Sequence, residues 1–149
     1  LHEIVPEAGL MPRDRTARAH CRSICGEMHS GFSNLRSALP MNLKAPFPGF
    51  KVWAGAQADI ERVVAIWQEC LSTYRGSYLF GDRPGMADAM YAPVVSRFAS
   101  YDIPVSTASQ SYMSAMMALP AWGEWLSAAL KEPWVLAEDE IDWPTVLRA

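Results

Sequence analysis

Apolar residues recur at steps of three and four through most of this chain, and prolines divide the recurrence into separate segments. This spacing places the apolar side chains along one face of an α-helix. Strand-like alternation of apolar and polar residues never extends beyond a few positions, and no motif repeats at a period of about 20 to 50 residues. The pattern therefore predicts an all-α protein.

The same pattern predicts five helices and leaves a sixth open. We expect Pro40 to end the first helix, Pro93 to kink the third, and Thr107 with Gln110 to form a capping box at the start of the fourth. The segment from Trp134 to about Trp143 fits either a short helix or an ordered tail. The expected helices cover residues 16–39, 53–74, 86–100, 107–119 and 120–132.

The composition predicts one globular domain and excludes several classes of partner. The chain has 149 residues, of which 50% are hydrophobic and 19% charged, and this suits a well-buried core. A net charge of -3 offers no basic surface for nucleic acid or an anionic membrane. Apolar runs are interrupted well short of a membrane span, so we expect a cytoplasmic protein.

The three cysteines do not predict a disulfide framework or a metal site. Cys21 and Cys25 lie one helical turn apart, and three thiols cannot all pair within the chain, so reduced thiols are expected. Cys21, Cys25 and His29 follow at steps of four, which invites a metal-binding interpretation. Eight helical residues rise roughly 12 Å, so Cys21 and His29 cannot share one ion. We expect no metal.

Two motifs resemble a known family. The segment Glu27–Phe32 lies within the first predicted helix, and Gly81–Asp88 with Pro93 marks the start of the third. Together they resemble the all-helical C-terminal domain of glutathione transferases, in a bundle of five to six helices. The resemblance implies that residues 1–15 are the tail of a preceding domain and an interdomain linker, with Leu1-His2-Glu3 as that tail. Residues 16–149 would form the helical domain.

The family resemblance also implies where glutathione and its electrophile bind. In related bacterial transferases, the positions of His29 and Ser30 face bound glutathione, and Ser30 replaces a lysine there. Glutathione itself would be held mainly by a thioredoxin-like half preceding residue 1. A donor near its sulfur would favour the reactive thiolate, although the missing lysine weakens this effect. The alternative is that His29 is an ordinary interdomain histidine.

Five further residues are substrate-binding candidates by resemblance. Arg97 and Phe98 match an arginine and an aromatic residue beside the electrophile pocket, where Arg97 could pair with a carboxylate and Phe98 could stack on a flat substrate. The alternatives are a surface or interdomain salt bridge for Arg97 and core packing for Phe98. The other three lie on segments that would flank the same cleft: Met28, Tyr91 and Trp134.

Gly85 and Asp88 resemble the family's helix-capping motif, in which a Ser or Thr caps a buried helix and an Asp three residues later accepts the amide of the cap. Here Gly85 replaces the hydroxyl residue, which leaves Asp88 to form half of the box. We expect a structural role for both. No residue of this chain is expected to be catalytic by itself.

The function implied by the resemblance is the transfer of glutathione to apolar electrophiles, as in detoxification, by an intact homodimeric protein. The helical half would bind the electrophile, and the chain alone would be inactive. The alternative is a non-catalytic, transferase-like helical module used for binding or assembly. Other catalytic motifs, including a phosphate-binding glycine loop and a nucleophile elbow, are missing from the sequence.

Overall fold

The computed structural model describes residues 4–143, and the predicted domain tail Leu1-His2-Glu3 lies outside them. The described chain is all-helical, as the sequence predicts, with one isolated bridge between Tyr78 and Gly81 in place of any sheet. Six α-helices are present in this part of the chain. Their bounds are Arg15–Ser30 (α1), Ser33–Ala38 (α2), Ala54–Tyr74 (α3), Met86–Ser100 (α4), Thr107–Met117 (α5) and Pro120–Lys131 (α6).

The predicted first helix is in fact two helices. Gly31 caps α1, and Phe32 adopts a left-handed conformation with φ of 57° that turns the chain into α2. The apolar spacing continues across this break because Phe32 and Leu35 are both buried. The prediction of one continuous helix was therefore wrong.

The structure also tests the predicted cap of α5 and the predicted form of the segment after α6. Ser106, and not Thr107, caps α5, because its Oγ accepts the Ser109 backbone N–H at 3.3 Å. The segment after α6 is mainly extended and contains one 3-10 turn at Ala137–Asp139, so the ordered tail is the better description. A second 3-10 turn lies in the N-terminal connector at Pro6–Ala8.

Helix α4 lies at the centre of the bundle and packs against α1 and α5, while α3 packs against α2 and α5. The core centres on Trp67 of α3, whose ring centroid lies 6.3 Å from Tyr91, 5.3 Å from Phe98 and 5.0 Å from Tyr112. Burying such rings contributes about 1.5–3 kcal/mol each. The apolar faces of the helices therefore pack together in one continuous core.

A second aromatic cluster fastens the C-terminal segment to the loop before α3. Tyr101 stacks on Phe47 at a centroid distance of 4.5 Å, and Phe50 contacts Trp143 edge-on at 5.3 Å. The Trp143 indole N–H also donates to the Pro48 carbonyl at 3.1 Å. These contacts place the end of the described chain across the C-terminal end of α4.

Candidate functional site

The end of α1 presents two polar side chains to solvent. His29 and Ser30 are the last two residues of the helix, and both are exposed. The Ser30 hydroxyl donates to the Gly26 carbonyl at 3.0 Å, which leaves its oxygen free to accept. Because Gly31 and Phe32 turn the backbone away immediately afterwards, neither side chain is covered by the chain that follows.

An ion pair next to these residues ties α1 to α3. The Arg62 guanidinium donates to both carboxylate oxygens of Glu27, at 2.7 and 2.9 Å. This hydrogen bonding holds the pKa of Glu27 below its ordinary value. Both side chains are at least one-third exposed, so the pair is worth at most about 1 kcal/mol. Its main effect is to fix the orientation of the helix end.

Arg97 of α4 is partly buried and makes no ion pair with residues 4–143. Its Nε donates to the Leu39 carbonyl at 2.8 Å and its Nη1 to the Pro93 carbonyl at 3.1 Å. Burial lowers the pKa of the guanidinium. No carboxylate in residues 4–143 lies within ion-pair distance of Arg97, and the interdomain salt bridge that the sequence allows stays a prediction.

A second arginine, which the sequence did not single out, lies close enough to Arg97 to interact with it electrostatically. This is Arg36 of α2, whose Nη1 donates to the Met28 carbonyl at 3.4 Å. It too has no ion-pair partner among the described residues. The Asp139 carboxylate also interacts electrostatically with Arg97, so one described acid partly offsets the two guanidinium charges. Arg36 and Arg97 lie on helices that are far apart in sequence, so no local spacing could reveal the pair.

Tyr91 and Phe98 lie in the core, which corrects the prediction that they line a substrate pocket. Tyr91 is fully buried and donates from its hydroxyl to the Ile24 carbonyl at 3.2 Å. Phe98 is 1% exposed and packs against Trp67. Both face inward because α4 is the central helix, with neighbours on two sides. Met28 is also buried, with 7% of its surface exposed.

The Trp134 side chain is exposed to solvent and lies in a groove of its own. Its side chain is 77% exposed, and it borders a groove of about 500 Å³ together with Met41, Lys44 and Leu136. None of the other predicted site residues lines that groove.

Gly85 and Asp88 begin the central helix. Gly85 is the N-cap of α4, and its backbone N–H donates to Asp88 Oδ2 at 2.8 Å. The other carboxylate oxygen accepts the Leu79 N–H at 3.0 Å. A Cβ at Gly85 would approach the Leu10 carbonyl oxygen to 3.1 Å, so a hydroxyl residue at this cap would require the connector to move slightly.

The described residues contain neither a metal-binding cluster nor a membrane-spanning helix. Among residues 4–143, no three His, Cys, Asp or Glu side chains come close enough to hold a metal ion. The helices of this same stretch all lack the length and apolar character needed to cross a bilayer.

The described residues thus form an all-α domain built around one buried, N-capped central helix. Residues 50–128 match the model of the glutathione S-transferase C-terminal domain family, and the chain belongs to that family. A crystal structure of a glutathione transferase homolog from Burkholderia gl BGR1 with bound glutathione is similar in fold. The TM-score is 0.58 at 22% identity, over 85% of this chain and 62% of the homolog. The chain therefore spans about three-fifths of that relative's length. No curated protein matches it.

Proposed function

We propose that this chain is the helical domain that helps a glutathione transferase bind an apolar electrophile for attack by the glutathione sulfur. Family membership supports the class of protein, and the structurally similar homolog binds glutathione. The observation that carries the proposal is the exposure of His29 and Ser30 side by side at the end of α1. They are the predicted glutathione-facing residues, and the fold leaves them uncovered.

His29 and Ser30 would act on the glutathione sulfur. Conjugation proceeds through the thiolate, and a donor near the sulfur lowers its pKa. The His29 ring offers an N–H, whereas the Ser30 hydroxyl must first leave the Gly26 carbonyl before it can donate elsewhere. Because no lysine stands at Ser30, His29 is expected to carry most of this effect.

Arg97 would hold a carboxylate of the bound ligand, with Arg36 beside it. Both guanidinium groups already donate to backbone carbonyls, which fixes their positions, and both retain N–H groups for a ligand. A ligand carboxylate at this place would compete with Asp139, which interacts electrostatically with Arg97. Tyr91 and Phe98 would support α4 from within the core and would not touch the substrate.

We also propose how the intact protein is organised. Residues 1–15 would be the connector to a thioredoxin-like half that anchors glutathione, and residues 16–149 would be the helical domain. One contact supports this division: the Leu10 carbonyl accepts the Met86 N–H at 2.8 Å, which docks the connector on the first turn of α4. A cytoplasmic homodimer would be the working form.

The test is conjugation of glutathione to a chloronitrobenzene, together with capture on immobilised glutathione. It compares residues 1–149 with a longer form that includes any sequence encoded before Leu1. We expect no turnover by residues 1–149 and measurable turnover by the longer form. Robust turnover by residues 1–149 would contradict the proposed location of the glutathione anchors. A longer form that neither binds glutathione nor conjugates it would make the chain a non-catalytic binding module.

A further inference from the structure

Exposed large apolar side chains are concentrated in one groove. Among residues 4–143, eight such side chains are exposed, and four of them line the groove of about 500 Å³ between the loop after α2 and the segment after α6. The four are Met41, Trp134, Val135 and Leu136. Clustered apolar exposure of this kind marks a site for a ligand or a partner, whereas single exposed apolar residues do not.

The polar rim of this groove is acidic. Glu132, Asp139 and Glu140 line it, and Lys44 is the one cation among the described residues that do so. The Lys44 ammonium donates to the backbone carbonyl of Glu132, and the Asn42 amide donates to a carboxylate oxygen of Glu140 at 3.3 Å. Three acids against one lysine leave the rim negative.

The carboxylates of Glu132 and Glu140 have no cationic partner in the described part of the chain. No Lys, Arg or His nitrogen of residues 4–143 lies within ion-pair distance of either one. Asp139 differs, because it interacts electrostatically with Arg97 and its charge is partly offset. A positively charged group entering the groove would therefore meet Glu132 and Glu140 without displacing a cation of residues 4–143.

Trp134 adds an aromatic surface to this negative groove. The face of an indole ring attracts cations electrostatically, and more strongly than the ring of Tyr or Phe does. Met41, which lines the same groove, has a flexible side chain that adapts to apolar ligands of different shape. The volume of about 500 Å³ lies within the range of about 300–1,000 Å³ that is typical of small-molecule sites. An aromatic face, apolar walls and an acidic rim together fit an organic cation.

We propose that this groove binds a small apolar molecule that carries one positive nitrogen, such as a quaternary ammonium group. The nitrogen is held by the Trp134 ring and the carboxylates of Glu132 and Glu140, and the apolar body lies on Met41 and Leu136. The charge of this ligand is opposite to that of the carboxylate proposed to bind at Arg97. The inference goes beyond the proposed function, because its readout is binding in the groove and not conjugation of glutathione.

The experiment titrates the folded 149-residue chain with two probes of similar apolar body and opposite charge, 4-phenylbutyltrimethylammonium and 4-phenylbutyrate. Indole N–H NMR signals report binding, and the signal that Trp134→Phe removes is that of Trp134. We expect the cation to shift this signal saturably while the signal of Trp53, an exposed tryptophan outside the groove, stays in place. The anion should bind at least fivefold more weakly. Equal affinity for both probes, or shifts confined to other tryptophans, would overturn the proposal.

Variants of exposed residues assign the individual contacts. Trp134→Ala should raise the Kd of the cation at least threefold, and Glu132→Gln combined with Glu140→Gln should raise it at least fivefold. Trp53→Ala and Glu124→Gln remove an exposed tryptophan and an exposed acid outside the groove, so these matched controls should keep the Kd within twofold. Affinities that are unchanged in the groove variants would contradict the assignment.

Two other occupants of the groove would give different results. If the groove joins two copies of this chain, sedimentation should detect a dimer that Trp134→Ala dissociates. If a preceding domain covers the groove, a longer form of the protein should lose the cation binding that residues 1–149 show. Either result would overturn the proposal.

Discussion

Asp88 accepts the backbone N–H of Leu79 at 3.0 Å, which joins the loop before α4 to the first turn of that helix. Its second oxygen accepts the Gly85 N–H, and the carboxyl group is almost completely buried. One side chain therefore satisfies two backbone donors at the start of the central helix.

We predict that Asp88→Ala lowers the free energy of unfolding by about 3 kcal/mol, because two N–H groups in or near the core lose their acceptor. Urea unfolding measures this loss. Glu124→Ala, which removes an exposed acid of α6, is the control and should change stability by less than about 0.5 kcal/mol. If Asp88→Ala leaves stability unchanged and, in the longer form that conjugates glutathione, abolishes turnover, Asp88 has a functional role instead.

The titration of Asp88 should appear in the pH dependence of stability. Burial raises the pKa of Asp88 above its ordinary value of 3.8, so the native carboxyl group retains a proton that the unfolded chain has already lost. Stability from this group is therefore present at low pH and lost as the pH rises through the folded pKa. Relative to Asp88→Asn, the wild type should lose stability as the pH rises above 3.8. A difference that grows in the opposite direction would show that the hydrogen bonds outweigh burial.

The turn after α3 offers a paired prediction about backbone conformation. Arg75 is exposed and has φ of 47°, whereas a Cβ at the following Gly76 would lie 2.2 Å from the Gly81 carbonyl carbon. We expect Arg75→Gly to stabilise the protein by up to about 1 kcal/mol, since glycine relieves the strain at some entropic cost. Gly76→Ala should destabilise it by about 1–3 kcal/mol. Thermal unfolding of both variants checks the signs, and a stabilising Gly76→Ala would contradict this geometry.

The Glu27–Arg62 pair should couple weakly and depend on salt. A double-mutant cycle with Glu27→Gln and Arg62→Gln should give about 0.2–1 kcal/mol at low ionic strength and less at high salt. Because the folded pKa of Glu27 is lowered from 4.5, this contribution is present above that value and lost as the pH falls through the folded pKa. A coupling energy independent of both salt and pH would mean that the pair acts through packing.

The sequence was sufficient for the fold class and for most helix positions because apolar spacing reports which face of each helix is buried. It failed at Phe32, where the apolar spacing runs unbroken through a turn that only the backbone conformation reveals. Gly31 was the available signal, since glycine commonly ends helices. The predicted cap of α5 was one residue too late. Ser106 and Thr107 both carry a hydroxyl group that suits an N-cap, so residue type alone could not distinguish them.

The candidate site was harder to predict than the fold. His29 and Ser30 are neighbours in sequence, so their shared exposure at the end of α1 needs only a helix that stops there. Arg36 and Arg97 approach each other through tertiary packing, which no local pattern encodes. Tyr91 and Phe98 carry residue types that suit pockets and cores equally, and only the central position of α4 distinguishes the two.

The most direct test of the account is a glutathione titration followed by the backbone amide NMR signals of residues 1–149, with His29→Ala and Ser30→Ala as variants. Both residues are exposed, so each variant should change the free energy of unfolding by less than about 0.5 kcal/mol. We predict weak, non-saturating shifts centred on His29 and Ser30 that His29→Ala largely removes. Tight, saturable binding by these helices alone, or shifts confined to another surface, would contradict the claim that this domain supplies one wall of a site anchored elsewhere.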